Sequence, residues 1–298
     1  MKNNKKIHNL TFVLLMLSVV VGIVSCEKAV FDEEKPEQPS QKANLILKVT
    51  GQQISEDMQT RAMVDITTYS TRFNFVLYKD GKKVESRSQK KEDSGFGEVA
   101  LSLEPGTYKL LVLAHSSAGG NPTVSDPENI QFTNTLGYSD TFYYYDDITV
   151  TKEPKTHNIT LKRAVSKITF VINDSWPDSV AYFNFYYTGG SGVLNAVTGM
   201  GGNVKSKQEK MVEVVRAKAP MKTSLYTFLQ QQTGTMQLKV TALKADKTTV
   251  VLERTFSDIP MAYQKETVLE GDFFNHYSDN SFSFMAETNW DVLEKIAY

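Results

Sequence analysis

The amino-acid sequence predicts an all-β protein arranged as two tandem β-sandwiches, and three observations carry that reading. From Ala43 onward, short runs of β-forming residues alternate apolar and polar side chains. Glycine, proline and aspartate turn signals separate the runs. No segment longer than two helical turns keeps a clean 3.6-residue apolar period with caps, so helices should be short and few.

The first run sets Leu45, Leu47 and Val49 on one face, and the next does the same with Phe73, Phe75 and Leu77. Lys79-Asp80-Gly81-Lys82 then supplies the Asp-Gly pair that favours a two-residue hairpin. Val99, Leu101 and Leu103 alternate into the turn Glu104-Pro105-Gly106-Thr107, and residues 108–114 follow as a near-continuously apolar, buried strand. Residues 116–137 are polar and rich in turn formers, a loop region with one short strand. Strand composition returns at 141–151, with Phe142-Tyr143-Tyr144-Tyr145, and at 157–161. The segment Leu161-Lys162-Arg163-Ala164-Val165-Ser166-Lys167 leads into the strongly β-branched run 168–172, whose Ile168, Phe170 and Ile172 are expected to face a second interior. Further runs lie at 180–187, 212–215, 225–229, 236–243, 250–256, 267–269 and 282–285, with a glycine-rich stretch at 189–202. Their number and spacing fit two sandwiches better than one barrel, with the boundary at 161–166.

The N-terminus follows another pattern. Lys2, Lys5 and Lys6 form a basic start, residues 10–24 are apolar, and Ile23-Val24-Ser25 leads to Cys26, the one cysteine among 298 residues. This layout resembles the lipobox of bacterial lipoproteins, in which the thiol is acylated and cleavage makes the cysteine residue one. A membrane-spanning helix is the competing reading, but a span needs about 20 apolar residues. This run is shorter and ends in Gly22 and Ser25 without a basic cluster. On the lipoprotein reading, residues 1–25 are the signal peptide and Cys26 is the lipidation site. Residues 26–42, rich in Glu, Lys, Pro and Gln, are a flexible tether. Asp32-Glu33-Glu34 resembles the acidic export signals after the cysteine of Bacteroides-type lipoproteins, so the expected location is the outer membrane, lipid-anchored and surface-exposed. The sandwiches then occupy residues 43–162 and 163–298.

Candidate chemistry is sparse. A net charge of −1 with well-mixed signs argues against a nucleic-acid partner and leaves no polybasic membrane patch. Of four histidines, His8 departs with the signal, and His115, His157 and His276 lack metal-ligand spacing. Thr188-Gly189-Gly190-Ser191-Gly192-Val193 lacks the last glycine of a nucleophile elbow and the lysine of a phosphate loop, and reads as a turn. Asp140, Asp146 and Asp147 lack the spacing of a calcium loop. No catalytic residue, metal or cofactor is expected. Trp176, Trp290 and the tyrosines at 143–145 are candidates for stacking a sugar ring, which keeps a surface glycan-binding lipoprotein as an alternative. Thr60-Arg61-Ala62, in a polar stretch after the first strand, makes Arg61 a candidate protease site.

Three landmarks in fixed order extend the reading. Leu103-Glu104-Pro105-Gly106-Thr107-Tyr108, the 161–168 segment ending in Ile168, and Ile259-Pro260 followed by Thr267-Val268-Leu269-Glu270-Gly271-Asp272-Phe273-Phe274 resemble the fimbrillin superfamily of Bacteroidales. The likeness is greatest to its fimbrial anchor and minor-subunit lipoproteins and spans nearly the whole chain after Cys26. Members often carry Arg-Asn soon after the Ile-Pro step, where this chain reads Met261-Ala262-Tyr263-Gln264-Lys265. The resemblance implies two tandem transthyretin-like β-sandwich domains in a structural subunit of a cell-surface fimbria. Its partners would be other fimbrial subunits, joined by β-strand complementation, with adhesion to a host or glycan ligand as the outcome. It further implies that shaft or tip subunits are cut after the residue matching Arg61, whereas anchors keep their lipid. The run at 282–285 or the tail to Tyr298 is the expected meeting point with the next subunit.

Overall fold

The computed structural model describes residues 42–53, 66–133, 136–214, 218–275 and 282–283. Cys26, Arg61, His276 and Trp290 lie outside the described residues, as do the signal, residues 26–41 of the tether and the final tail. The first half contains β1 (Leu45–Gln53), β2 (Arg72–Lys79), β3 (Lys82–Lys90), β4 (Glu98–Leu101), β5 (Gly106–His115), β6 (Ile130–Gln131), β7 (Thr141–Val150) and β8 (Lys155–Arg163). The second contains β9 (Ser166–Ile172), β10 (Tyr182–Ser191), β11 (Val193–Asn195), β12 (Met200–Gly201), β13 (Lys205–Glu213), β14 (Met221–Thr227), β15 (Thr233–Leu243), β16 (Val250–Ala262), β17 (Glu266–Gly271) and β18 (Phe282–Ser283). One three-residue 3-10 turn, Ile66–Thr68, is the sole helical element among the described residues, so the protein is all-β. No helix among them is long and apolar enough to cross a membrane.

Both halves repeat one wiring. In the first, β3-β2-β5-β7 forms one layer and β8-β1-β4 the other, joined where β7 meets β8 through Phe142↔Arg163 and Tyr143↔Lys162. In the second, the layers are β13-β10-β15-β16 and β14-β9-β17-β18. The opening strand of each half, β1 or β9, lies between an antiparallel neighbour, β4 or β14, and a parallel one, β8 or β17.

Each half has its own core. Leu45, Leu47, Phe73, Phe75, Leu110, Val112, Phe142 and Leu161 close the first. Ile168, Phe170 and Ile172 face the second, as the alternation required, among Phe183, Phe185, Leu238, Val240 and Phe273. A third cluster mixes the two halves: Val76, Tyr78, Leu111 and Leu113 from β2 and β5 meet Ala164, Val165, Leu194 and Phe228. Burial on both faces is why β5 reads as a continuous apolar run and not as an alternating one. The small sheet β6-β11-β12 also bridges the halves, with Val193↔Gln131 and Leu194↔Ile130.

The β2–β3 turn has Asp80 at φ 52° and Gly81 at φ 73°, the left-handed pair that a two-residue hairpin demands. Two local expectations are corrected. Thr188 to Ser191 is not a turn: β10 continues through it, with a register shift against β13 between Thr188 and Ser191. The glycines serve close packing there, since a Cβ on Gly190 would lie 1.8 Å from Thr227 Oγ1. β16 also runs on past the expected end at 256, through Asp258 at φ 55° and Pro260. It is an edge strand, where an irregular residue and a missing N–H are tolerated.

Candidate functional site

The most consequential arrangement is the slot that holds β1. Leu45 and Leu47 are buried in the first core, and both long edges of the strand are paired, to β4 (Leu45↔Leu101 to Lys48↔Glu98) and to β8 (Leu45↔Lys155 onward). Asn44 pegs the strand at its entrance. Its Nδ2 donates to Leu103 O at 2.8 Å and Thr151 O at 2.7 Å, while its Oδ1 accepts from Leu103 N at 2.9 Å. Its backbone donates to Leu101 O and accepts from Lys155 N. One side chain thus joins the ends of three strands at the point where the chain arrives from its N-terminal segment. Beyond it, Val49 N donates to Gly97 O at 2.9 Å and Thr50 Oγ1 to Ile159 O at 3.3 Å.

The mid-chain landmark is a junction between the halves. Arg163 forks onto Asp140, Nε to Oδ1 and NH2 to Oδ2 both at 2.9 Å, with its guanidinium 4.9 Å from the Phe142 ring centre. The carbonyl of Arg163 accepts from Gln264 Nε2, and Ser166 Oγ donates to Ala262 O at 2.7 Å while accepting from Gln264 N at 3.1 Å. Lys167 is paired with buried Glu266 at 3.0 Å, and Thr169 Oγ1 donates to the same carboxylate at 2.5 Å. Burial lowers the Lys167 pKa, and Glu266 works against that shift. The polar residues of this motif are therefore connectors. At the far end of β9, Asp174 accepts from Phe273 N, Phe274 N and Asn275 N at 2.6 to 2.9 Å, and so fixes the Phe273-Phe274 landmark.

The remaining candidates are dispersed. His115 is fully buried, with Nε2 3.0 Å from Asn74 Oδ1 and Nδ1 accepting from Ser117 N at 3.2 Å. That pattern places the proton on Nε2. Burial, and next the charge of Arg72, hold its pKa down to about 4. His157 is bonded to Tyr144 OH at 3.0 Å. Asp140 serves Arg163, Asp147 pairs with Lys109 at 2.8 Å, and among the described residues no group of three or more His, Cys, Asp or Glu could hold a metal ion. The three tyrosines do not form one platform: Tyr144 packs toward the first core and Tyr143 and Tyr145 toward the mixed cluster, on opposite faces of β7. Trp176 stands apart from them, edge-on to Phe183 at 5.8 Å and beside a cleft at the end of the second half. Asn44 and Asp174 were not among the sequence candidates, because a buried amide or carboxylate that bonds distant backbone has no local signature.

A family of unknown function (DUF6562) matches residues 36–292. No curated protein matches the chain. Solved structures similar to it include a candidate cell adhesion protein of Bacteroides ovatus, at 11% identity over 85% of this chain and 99% of that one, TM-score 0.49. A candidate adhesin of the same species is 16% identical over 79% and 87%, TM-score 0.48. The fimbrial anchor protein Mfa2 of Porphyromonas gingivalis is 12% identical over 70% and 80%, TM-score 0.41.

Proposed function

The chain belongs to DUF6562, a family with no assigned function, and from its own residues we propose that it is a structural lipoprotein subunit of a cell-surface fimbria. It acts as an anchor or minor subunit, is tethered to the outer membrane through Cys26, and joins other subunits by β-strand complementation. The sequence landmarks at 103–108, 161–168 and 259–274 support the family-level reading. The observation that carries the mechanism is the β1 slot. The strand that continues from the tether is itself a wall of the first core, through Leu45 and Leu47, and pairs on both sides.

Loss of β1 would leave the inner edges of β4 and β8 unpaired and empty two core positions. An extended segment from another chain, with apolar residues at every second position, would satisfy both needs at once. An anchor keeps β1 and its lipid. A shaft or tip subunit would be cut after Arg61 and would start at Ala62. The reading assigns no catalytic role to any residue.

The slot is tested with a chain that starts at Ala62 and a synthetic peptide of residues 43–53. Alone, the shortened chain is expected to keep only the cooperative transition of its second half, and to regain that of the first when the peptide is added. A shortened chain that is equally stable without the peptide, or that ignores it, would overturn strand complementation at this site.

A further inference from the structure

At the pole of the second half remote from the Arg163–Asp140 junction, the β9–β10 loop, the start of the β15–β16 loop, and Val214, Lys218 and Ala219 surround a cleft of about 780 Å³. That size lies in the range of small-molecule sites. Its lining combines Trp176 and Val180 with Asp178, Lys218 and Lys244 and with the hydroxyl of Ser175. Trp176 is half-buried and braced by Phe183. Among the described residues, the indole N–H, both ammonium groups and the Asp178 carboxylate have neither a hydrogen-bond nor an ion-pair partner within the protein.

That lack of internal partners separates the cleft from the other aromatic surface. On the outer face of β10, Tyr186 lines a smaller hollow, but its charged groups already have neighbours: Glu209 accepts from Asn184, Lys239 pairs with Glu253 at 3.3 Å, and Lys247 lies 4.8 Å from the Tyr182 ring centre. Among the described residues, by contrast, no side chain occupies the polar groups of the cleft in this way.

We propose that this cleft binds an acidic sugar residue, a carboxylated or sulfated pyranose of a polysaccharide. The Trp176 indole matches the flat C–H face of a pyranose and supplies one N–H donor. Lys218 and Lys244 are compact point charges that attract an anion without the planar geometry arginine imposes. Asp178 and Ser175 accept from and donate to ring hydroxyls. The cleft shares no residue with the β1 slot, so it holds or fails independently of the assembly reading.

Titration calorimetry on the mature chain, with tetragalacturonate, a chondroitin sulfate tetrasaccharide and neutral cellotetraose, tests it. At least one acidic oligosaccharide should bind, roughly tenfold tighter than the neutral one, as two exposed charge contacts would give. Added salt should erode the difference. The double variant Lys218→Ala, Lys244→Ala should abolish that preference with an unchanged melting temperature. Trp176→Phe, which keeps an aromatic ring against Phe183, should weaken binding of acidic and neutral sugars alike. Failure of both acidic oligosaccharides to exceed cellotetraose, or binding indifferent to the lysine pair, would overturn the proposal.

Discussion

Single side chains with distant backbone partners fix the critical corners of this protein. Asn44 is itself buried and bonds residues 59 and 107 positions away, so Asn44→Ala removes the side-chain partner of half-buried Leu103 and of the Thr151 carbonyl. A cost of about 1 kcal/mol per lost hydrogen bond follows, and a urea melt should show it. Phe170 is buried against Phe185, Phe256 and Phe273. Phe170→Ala is expected to cost about 3–5 kcal/mol as an aromatic truncation, and unchanged thermal stability would contradict its place in the core. His115 gives a pH signature. Its folded pKa of about 4 lies below the ordinary 6.5, so the unfolded chain takes up the proton first as pH falls. Stability is therefore present above pH 6.5 and is lost between there and pH 4, by roughly 3 kcal/mol in all. Urea midpoints at pH 7, 5.5 and 4.5 should fall less steeply in His115→Gln than in the parent. Phe170 was visible in the sequence because its burial follows a two-residue period; Asn44 and the His115 environment were not, because their partners are far along the chain.

At the scale of elements, alternation and turn chemistry reach a long way. The Asp80-Gly81 hairpin and the β5 and β9 strands stand where their residues indicate. The two corrected elements share one cause: tertiary packing uses glycine and proline inside strands, where local sequence rules place turns and ends. Gly190 in β10 makes room for Thr227, and Pro260 in β16 sits at a sheet edge. Gly190→Ala should accordingly cost about 1–3 kcal/mol by overpacking, measured as a drop in the thermal midpoint, whereas Gly234→Ala, with open space around its Cβ, should cost less. The one short strand expected within 116–137 is β6, but β11 and β12 were hidden, since two- and three-residue pairings carry no period to detect.

For the whole molecule, the repeated wiring and the two separate cores support the proposal that the halves are domains, with the mixed cluster as their seam. Arg163 ends β8 and binds Asp140 of the first half, so a first-half fragment should extend at least to it. Such a fragment should fold around its own core yet self-associate, because Val76, Tyr78, Leu111 and Leu113 lose their cover. Sedimentation alongside a thermal melt would reveal both properties. The sequence showed the count of cores but not the seam, since one strand facing two cores looks the same as one buried deeply in a single core. The assembly claim is tested most directly by isolating native surface fibres and determining the N-terminus of this chain within them. The account predicts that the chain is present and begins at an acylated Cys26, as an anchor should; a start at Ala62 would instead make it a cleaved shaft or tip subunit. Absence of the chain from every fibre preparation would contradict the fimbrial reading.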